Sequence, residues 1–183
     1  MIYFMRHGES QANADGIFAG PSYHAPLTDL GRSQAQQEGA RIKNQGITFD
    51  RIISSPIERA KETAELLAMA AECDPGCITY DERLAEYDMG ELSGKPKAGV
   101  NARERTSAVR AEDPILFQAR VLDCLKDINQ LPGNTLVVAH AGVAGIIEAT
   151  RLGSDIRDFY NEGYPNAHVV ELDLASLFAT SRL

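Results

Sequence analysis

Tryptophan is absent from this 183-residue chain, cysteine occurs three times, aromatic residues make up 7%, and basic residues are outnumbered 26 to 18. Each scarcity narrows the reading. Cys73, Cys77 and Cys124 leave one thiol over after any pairing, and a chain of this length folds without staples, so a reducing compartment is expected. Cys73 and Cys77 flank Asp74-Pro75-Gly76, a turn sequence, and read as two solitary thiols; a redox or metal pair is the alternative. The four histidines, at 7, 24, 140 and 168, complete no zinc-ligand spacing. A formal charge of -8 argues against long-range attraction to nucleic acid or to an anionic membrane, so a bound anion would need a local cluster. No apolar run approaches the roughly 20 residues of a membrane span, and Met1 to Met5 is too short for a signal-peptide core. The expectation is a soluble cytoplasmic protein with neither metal nor cofactor, its oligomeric state left open.

What is present is 44% apolar residues in a recurring order. Short β-branched runs (Ile2 to Met5, Arg51 to Ser54, Leu136 to Ala139, His168 to Leu174) alternate with stretches of helical period at about 28–44, 56–71, 115–131 and 143–151. That alternation predicts an α/β fold of three layers, a mainly parallel central sheet flanked by helices, in one domain spanning 1–183. Ile57, Ala60, Ala64, Leu67 and Ala71 give the second helix one apolar stripe. Ser55-Pro56-Ile57-Glu58 reads as a capping box with proline at the first helical position, which places Arg59 in the first turn.

The segment from Lys95 to Arg110 differs in composition. Lys95, Lys97, Arg103, Arg105 and Arg110 face a single anion, Glu104. With little apolar periodicity before Ile115, the stretch at about 95–114 reads as a basic lid or as a solvated loop.

The sharpest signal is Arg6-His7-Gly8-Glu9-Ser10 directly after the first strand, since ligands bind at the carboxyl ends of strands in open α/β sheets. His140 follows the run 136–139 in the same way, and Arg59 follows Arg51 to Ser54 near a helix N-terminus, where backbone donors already favour anions. Singly, each has a plain reading: a paired arginine, a satisfied core histidine, a surface helix charge. Together, two imidazoles and two guanidinium groups at one sheet edge call for an anion between them, and a phosphate would supply it.

Arg6-His7-Gly8-Glu9-Ser10 with Asn13, Ser54-Ser55-Pro56 with Arg59-Ala60 and Thr63-Ala64, Leu84 with Glu86 and Gly90, and Val137 to Gly142 together resemble the histidine phosphatase superfamily in its phosphoglycerate mutase-like branch. The resemblance runs from the first strand to the last and includes Phe18, Gly20, Leu27-Thr28, Gly31 and Gln34-Ala35. It implies that His7 is a nucleophile forming a phosphohistidine, that Arg6, Arg59 and His140 contact the phosphoryl oxygens, and that Glu86 is the general acid. The substrate-binding set it suggests is Arg6, Ser10, Asn13, Gly20, Arg59, Lys97 and Ala141. Glu82, Asp88 and Glu91 are rivals for the acid, and Ser10 and Asn13 also suit a turn cap. Met89, Leu92 and Ala19 depart from the family pattern at positions bordering its substrate pocket.

The implied activity is a phosphatase for small phosphorylated metabolites, because the stretch between Glu86 and His140 is shorter than in mutase members. Lys97, with Arg103 and Arg105 as loose echoes of an arginine pair, keeps a phosphoglycerate mutase-type transferase as the second reading. A phosphoprotein (phosphohistidine) phosphatase is the third, and a phosphate-binding module without turnover the fourth.

Overall fold

The computed structural model describes residues 1–161 and 164–179; residues 162–163 and 180–183 of the expected 1–183 unit lie outside the described residues. Five strands, β1 (Ile2–Arg6), β2 (Arg51–Ser54), β3 (Ile78–Tyr80), β4 (Thr135–Ala139) and β5 (Val169–Leu172), form one sheet in the order β3-β2-β4-β1-β5. The pairs β1/β4, β2/β4 and β2/β3 are parallel, and β5 runs antiparallel to β1 at the edge. The helices are α1 (Gln11–Ala14), α2 (Asp29–Asn44), α3 (Glu58–Ala70), α4 (Ala102–Thr106), α5 (Pro114–Asn129), α6 (Ala141–Leu152) and α7 (Leu174–Ala179).

Strand alternation divides the core in two. Tyr3, Met5, Ile52, Leu136 and Val138 face Ile42 of α2 and Ala60, Ala64 and Leu67 of α3. Phe4, Ile53, Val137 and Ala139 face Phe117, Val121 and Leu125 of α5 and Val143 and Ile146 of α6. With both faces covered, the inner strand β4 is buried along its whole length, which is why it reads as an unbroken apolar run. The chain leaves β1 toward the α2 face and leaves the adjacent β4 toward the α6 face. A crevice therefore opens between their carboxyl ends, where a ligand is expected in such sheets.

One close approach fixes the loop after β1. A Cβ on Gly8 would come within 2.4 Å of the Gly31 oxygen, and one on Gly31 within 2.0 Å of the Glu9 oxygen, so the two backbones touch where only glycine fits.

The structure differs from the sequence expectation at one helix cap, in several short elements and element bounds, and in the basic segment. The capping box at Ser55 does not form: Ile57 occupies the N-cap of α3 without a side-chain bond, and Ser55 is buried, its oxygen accepting from the Ile57 N–H at 3.3 Å and meeting His140 at 2.8 Å. Arg59 still lies in the first turn. Strand β3 is additional, as are the short helices α1, α4 and α7. Helix α6 starts at Ala141 rather than 143, and β5 spans 169–172 rather than 168–174. The basic segment is not an open loop. It pairs with the chain at 16–18 through Phe18 N–H to the Lys95 oxygen, Gly94 N–H to the Phe18 oxygen and Lys97 N–H to the Gly16 oxygen. It then forms α4, capped reciprocally by Asn101 and Glu104, which packs beside 156–161 with Arg103 bridging Asp155 and Asp158.

Candidate active site

A cavity of about 190 Å³ sits at the crevice. Its lining includes Arg6, His7, Ser10, Asn13, Phe18, Ala19, Arg59, Glu86, Met89, Lys97, Arg105, Ala141 and Tyr164. Four of these carry positive charge against one carboxylate, in a protein of net charge -8. The cavity is a local concentration of positive charge on an acidic molecule.

His7 follows β1, and its backbone N–H donates to the Ala139 oxygen of β4 at 2.9 Å, which sets the loops bearing His7 and His140 side by side. Their rings meet edge to face, centroids 5.2 Å apart. His7 is 3% exposed and its Nδ1 lies 2.7 Å from the Gly8 carbonyl oxygen. A carbonyl only accepts, so Nδ1 carries the proton and Nε2 presents a lone pair. Into that lone pair the Arg59 Nε–H donates at 3.2 Å.

Arg59, 2% exposed, also donates through Nη2 to the Ala19 oxygen, and its own carbonyl accepts from Thr63 Oγ1, which in turn accepts from the Gly8 N–H. Helix α3 thus holds both the guanidinium and the loop carrying His7. Arg6 donates to the Tyr164 oxygen at 2.7 Å.

His140, the N-cap residue of α6, is fully buried; its Nε2 meets Ser55 Oγ at 2.8 Å, and its Nδ1 has no hydrogen-bond partner among the described residues. The Ser55 hydroxyl accepts from Ile57 and has Nε2 as the acceptor for its own proton; in that tautomer Nδ1 carries the ring proton and is a donor. A buried donor without a partner is costly, and an anion's oxygen would satisfy it.

Burial pushes the pKa of His7 well below its ordinary 6.5, with Arg59 and Arg6 adding to the effect and the Gly8 bond opposing it. Burial, then Arg59 and His7, lower His140 in the same way. Both rings are therefore neutral at pH 7. The unfolded chain takes up a proton on each ring near pH 6.5 and the folded chain does not, so stability is full above that pH and falls below it. The slope is about 1.4 kcal/mol per pH unit for each histidine until its folded pKa is reached. Ligand-free protein should accordingly lose Tm between pH 6.5 and 5.5, above the carboxylate range, and His140→Gln should lose less; a flat Tm across that window would contradict the neutral-imidazole assignment.

Glu86 is 5% exposed on a stretch without regular structure. Its Oε1 accepts from the Tyr87 N–H at 2.9 Å and its Oε2 from the Gly142 N–H at 3.2 Å, in the first turn of α6 beside His140. Its rivals are placed elsewhere. Asp88 caps Gly90, Glu91 pairs with Arg110, and Glu82 is exposed and lines a neighbouring groove.

Of the proposed substrate contacts, Ser10, Asn13, Lys97 and Ala141 line the cavity with the two arginines, whereas Gly20 does not. Gly20 packs where a Cβ would fall 2.8 Å from Ser93 Oγ. Ser10 and Asn13 also form the reciprocal cap of α1, so the turn-capping role and the pocket-facing role coexist. Lys97 stays exposed as a residue, yet desolvation and Arg6 lower its pKa, with Glu86 opposing. Arg105 lines the cavity with its guanidinium over the Phe18 ring at 5.9 Å, whereas Arg103 turns outward. Sequence reasoning left Tyr164 and Asn166 unassigned; Asn166 Nδ2 donates to the His7 oxygen at 2.8 Å. Among the described residues no group of three or more His, Cys, Asp or Glu side chains is placed to hold a metal ion, and no helix is long and apolar enough to cross a membrane.

Residues 2–177 match the model of the histidine phosphatase superfamily (branch 1). A Salmonella paratyphi A protein named "Probable phosphoglycerate mutase GpmB" is 37% identical over 166 residues, covering 83% of this chain and 74% of that one. Among solved structures, Bacillus stearothermophilus YhfR aligns with a TM-score of 0.78 and 26% identity over 94% of this chain and 91% of its own. The alpha-ribazole phosphatase from Shigella flexneri aligns with a TM-score of 0.73 over 92% and 87%, and at 23% identity that likeness speaks for the fold alone.

Proposed function

The chain belongs to the histidine phosphatase superfamily, branch 1, and on that premise we propose that it is a phosphomonoesterase hydrolysing phosphate esters of small metabolites through a phosphohistidine at His7. The observation that carries this reading is the His7 Nε2 lone pair, buried, deprotonated and held by Arg59 in a cavity with Arg6, His140 and Glu86.

A phosphate entering the cavity takes over the donors that now satisfy one another. Arg59 Nε–H moves from Nε2 to a phosphoryl oxygen, which frees the lone pair for in-line attack. The P–N bond forms as the P–O bond to the leaving group breaks, and Glu86 gives that oxygen a proton. Arg6, Arg59 and the His140 Nδ1–H hold the equatorial oxygens. Water then attacks phosphorus with Glu86 taking its proton, and inorganic phosphate and free His7 are restored. Hydrolysis of a phosphate monoester requires up to about 10²¹-fold acceleration and one proton transfer supplies roughly 10²–10⁴ of it, so the cationic cradle and the covalent step carry most of the barrier.

Lys97 and Arg105 at the cavity, which Phe18 and Met89 also line, favour a small substrate bearing a second anionic group. The same two cations, with the name of the Salmonella relative, support mutase-type phosphoryl transfer as the second reading. A panel of phosphorylated metabolites scored for released phosphate, with and without 2,3-bisphosphoglycerate, separates the two. Phosphate release without the bisphosphate is expected; product formed only in its presence, without net phosphate release, would overturn the phosphatase reading in favour of the mutase.

A further inference from the structure

Glu86 carries its chemistry on a stretch that neither sheet nor helix holds, and a guanidinium outside the cavity is spent on that stretch. Arg120, on α5, donates from Nη1 to the carbonyl oxygens of Arg83 and Ala85, both at 2.8 Å, and from Nη2 to that of Glu86 at 3.2 Å. Its Nε and Nη2 grip the two oxygens of Glu112 at 2.7 and 2.9 Å. Those contacts use all five N–H groups of the fork, and its plane lies over the Phe117 ring, 4.6 Å from the centroid.

Glu112 holds the other side of the acid. Its backbone N–H donates to the Asp88 oxygen, its carboxylate accepts from the Asp88 N–H at 3.4 Å, and its carbonyl accepts from the Tyr87 hydroxyl. Carbonyls of 83, 85 and 86 on one side and the Tyr87 hydroxyl with the backbone of Asp88 on the other are thus tied to one ion pair, with Glu86 between them.

We propose that Arg120 and Glu112 are positioning residues that fix the Glu86 carboxyl against the leaving oxygen of the substrate. The inference rests on the phosphatase reading of the site, in which Glu86 is the proton donor. A bidentate Arg–carboxylate pair combines charge-assisted strength with fixed geometry, and a lysine has three donors and no fork with which to replace it. Because Glu112 closes the segment of 95–114 that also supplies Lys97 and Arg105, the same pair keeps the acid and the cationic wall in register.

The test compares kcat/KM, which reports the steps up to leaving-group departure, for p-nitrophenyl phosphate and for an alkyl phosphate. The first leaving group departs without a proton and the second needs one. Arg120→Lys should lower kcat/KM for the alkyl ester about 10- to 100-fold, the scale of a misplaced catalytic group, and leave the nitrophenyl ester within about threefold. Orthovanadate, which occupies the cradle alone, should inhibit wild type and variant equally. Glu112→Gln, which keeps the shape and one acceptor, should show the same selective loss more weakly, and it supplies the answer if Arg120→Lys does not fold. Equal losses on both esters, or none on either, would overturn the positioning role. Wild-type protein that releases no phosphate from either ester would instead overturn the phosphatase reading, so the two failures are distinct.

Discussion

His7→Ala is expected to abolish turnover while leaving the anion site largely in place. Removing the nucleophile of a catalytic set that acts as a unit costs about 10⁵-fold or more in kcat. Binding has a different origin. Arg6 and Arg59 remain, Arg59 Nε loses only the lone pair it now donates into, and the His140 Nδ1 donor is untouched. Inorganic phosphate or vanadate should therefore bind the variant within about tenfold of wild type, because the donors that meet the anion are already in position. Titration calorimetry with vanadate beside phosphate-release kinetics reads both halves. A variant that turns over near the wild-type rate would refute His7 as nucleophile, and one that binds no anion would show that the imidazole, not the guanidinium pair, organises the cradle.

The second large effect is selective. Glu86→Gln keeps the shape of the side chain and an acceptor for one of the two backbone N–H groups that orient it, from Tyr87 and Gly142, and removes the transferable proton. The loss in kcat/KM should reach about 10²–10⁴-fold for alkyl phosphates and remain small for p-nitrophenyl phosphate, whose leaving group needs no acid. A plot of log kcat/KM against leaving-group pKa should steepen in the variant. Parallel lines would assign proton transfer to another group, and the placement of Glu82, Asp88 and Glu91 leaves none of those three in the cavity.

These effects were foreseeable in unequal measure. The strands carrying His7 and His140 are legible because they are covered on both faces and so spell unbroken apolar runs, and a residue just beyond such a run falls at the ligand-binding end of the sheet. The apolar stripe of α3 likewise places Arg59. Strand β3 escapes notice because half-buried Ile78 and exposed Thr79 and Tyr80 make only three residues at a sheet edge, too short to show a period. The Ser55 cap fails because the helix starts two residues later than the pattern offers: Ile57 takes the N-cap, the serine oxygen accepts from the Ile57 N–H, and its hydroxyl meets His140, 85 residues away. Glu86 is picked out by the family resemblance alone, since nothing in Asp81 to Gly90 ranks one carboxylate above another until the fold turns Glu86 toward α6. Arg120, Tyr164 and Asn166 act through backbone carbonyls and contacts distant in sequence, and such pairings leave no local spacing to read.

Everything proposed for the site requires the imidazole of His7 to become covalently phosphorylated. Rapid quenching of wild-type enzyme into alkali after mixing with a phosphorus-labelled aryl phosphate, followed by peptide mapping, tests it directly. One acid-labile, base-stable phosphoryl group per chain is expected on the peptide bearing Arg6-His7-Gly8, formed fast enough to lie on the turnover path and absent from His7→Ala. Turnover of the same substrate with no labelled histidine at any quench time would contradict it.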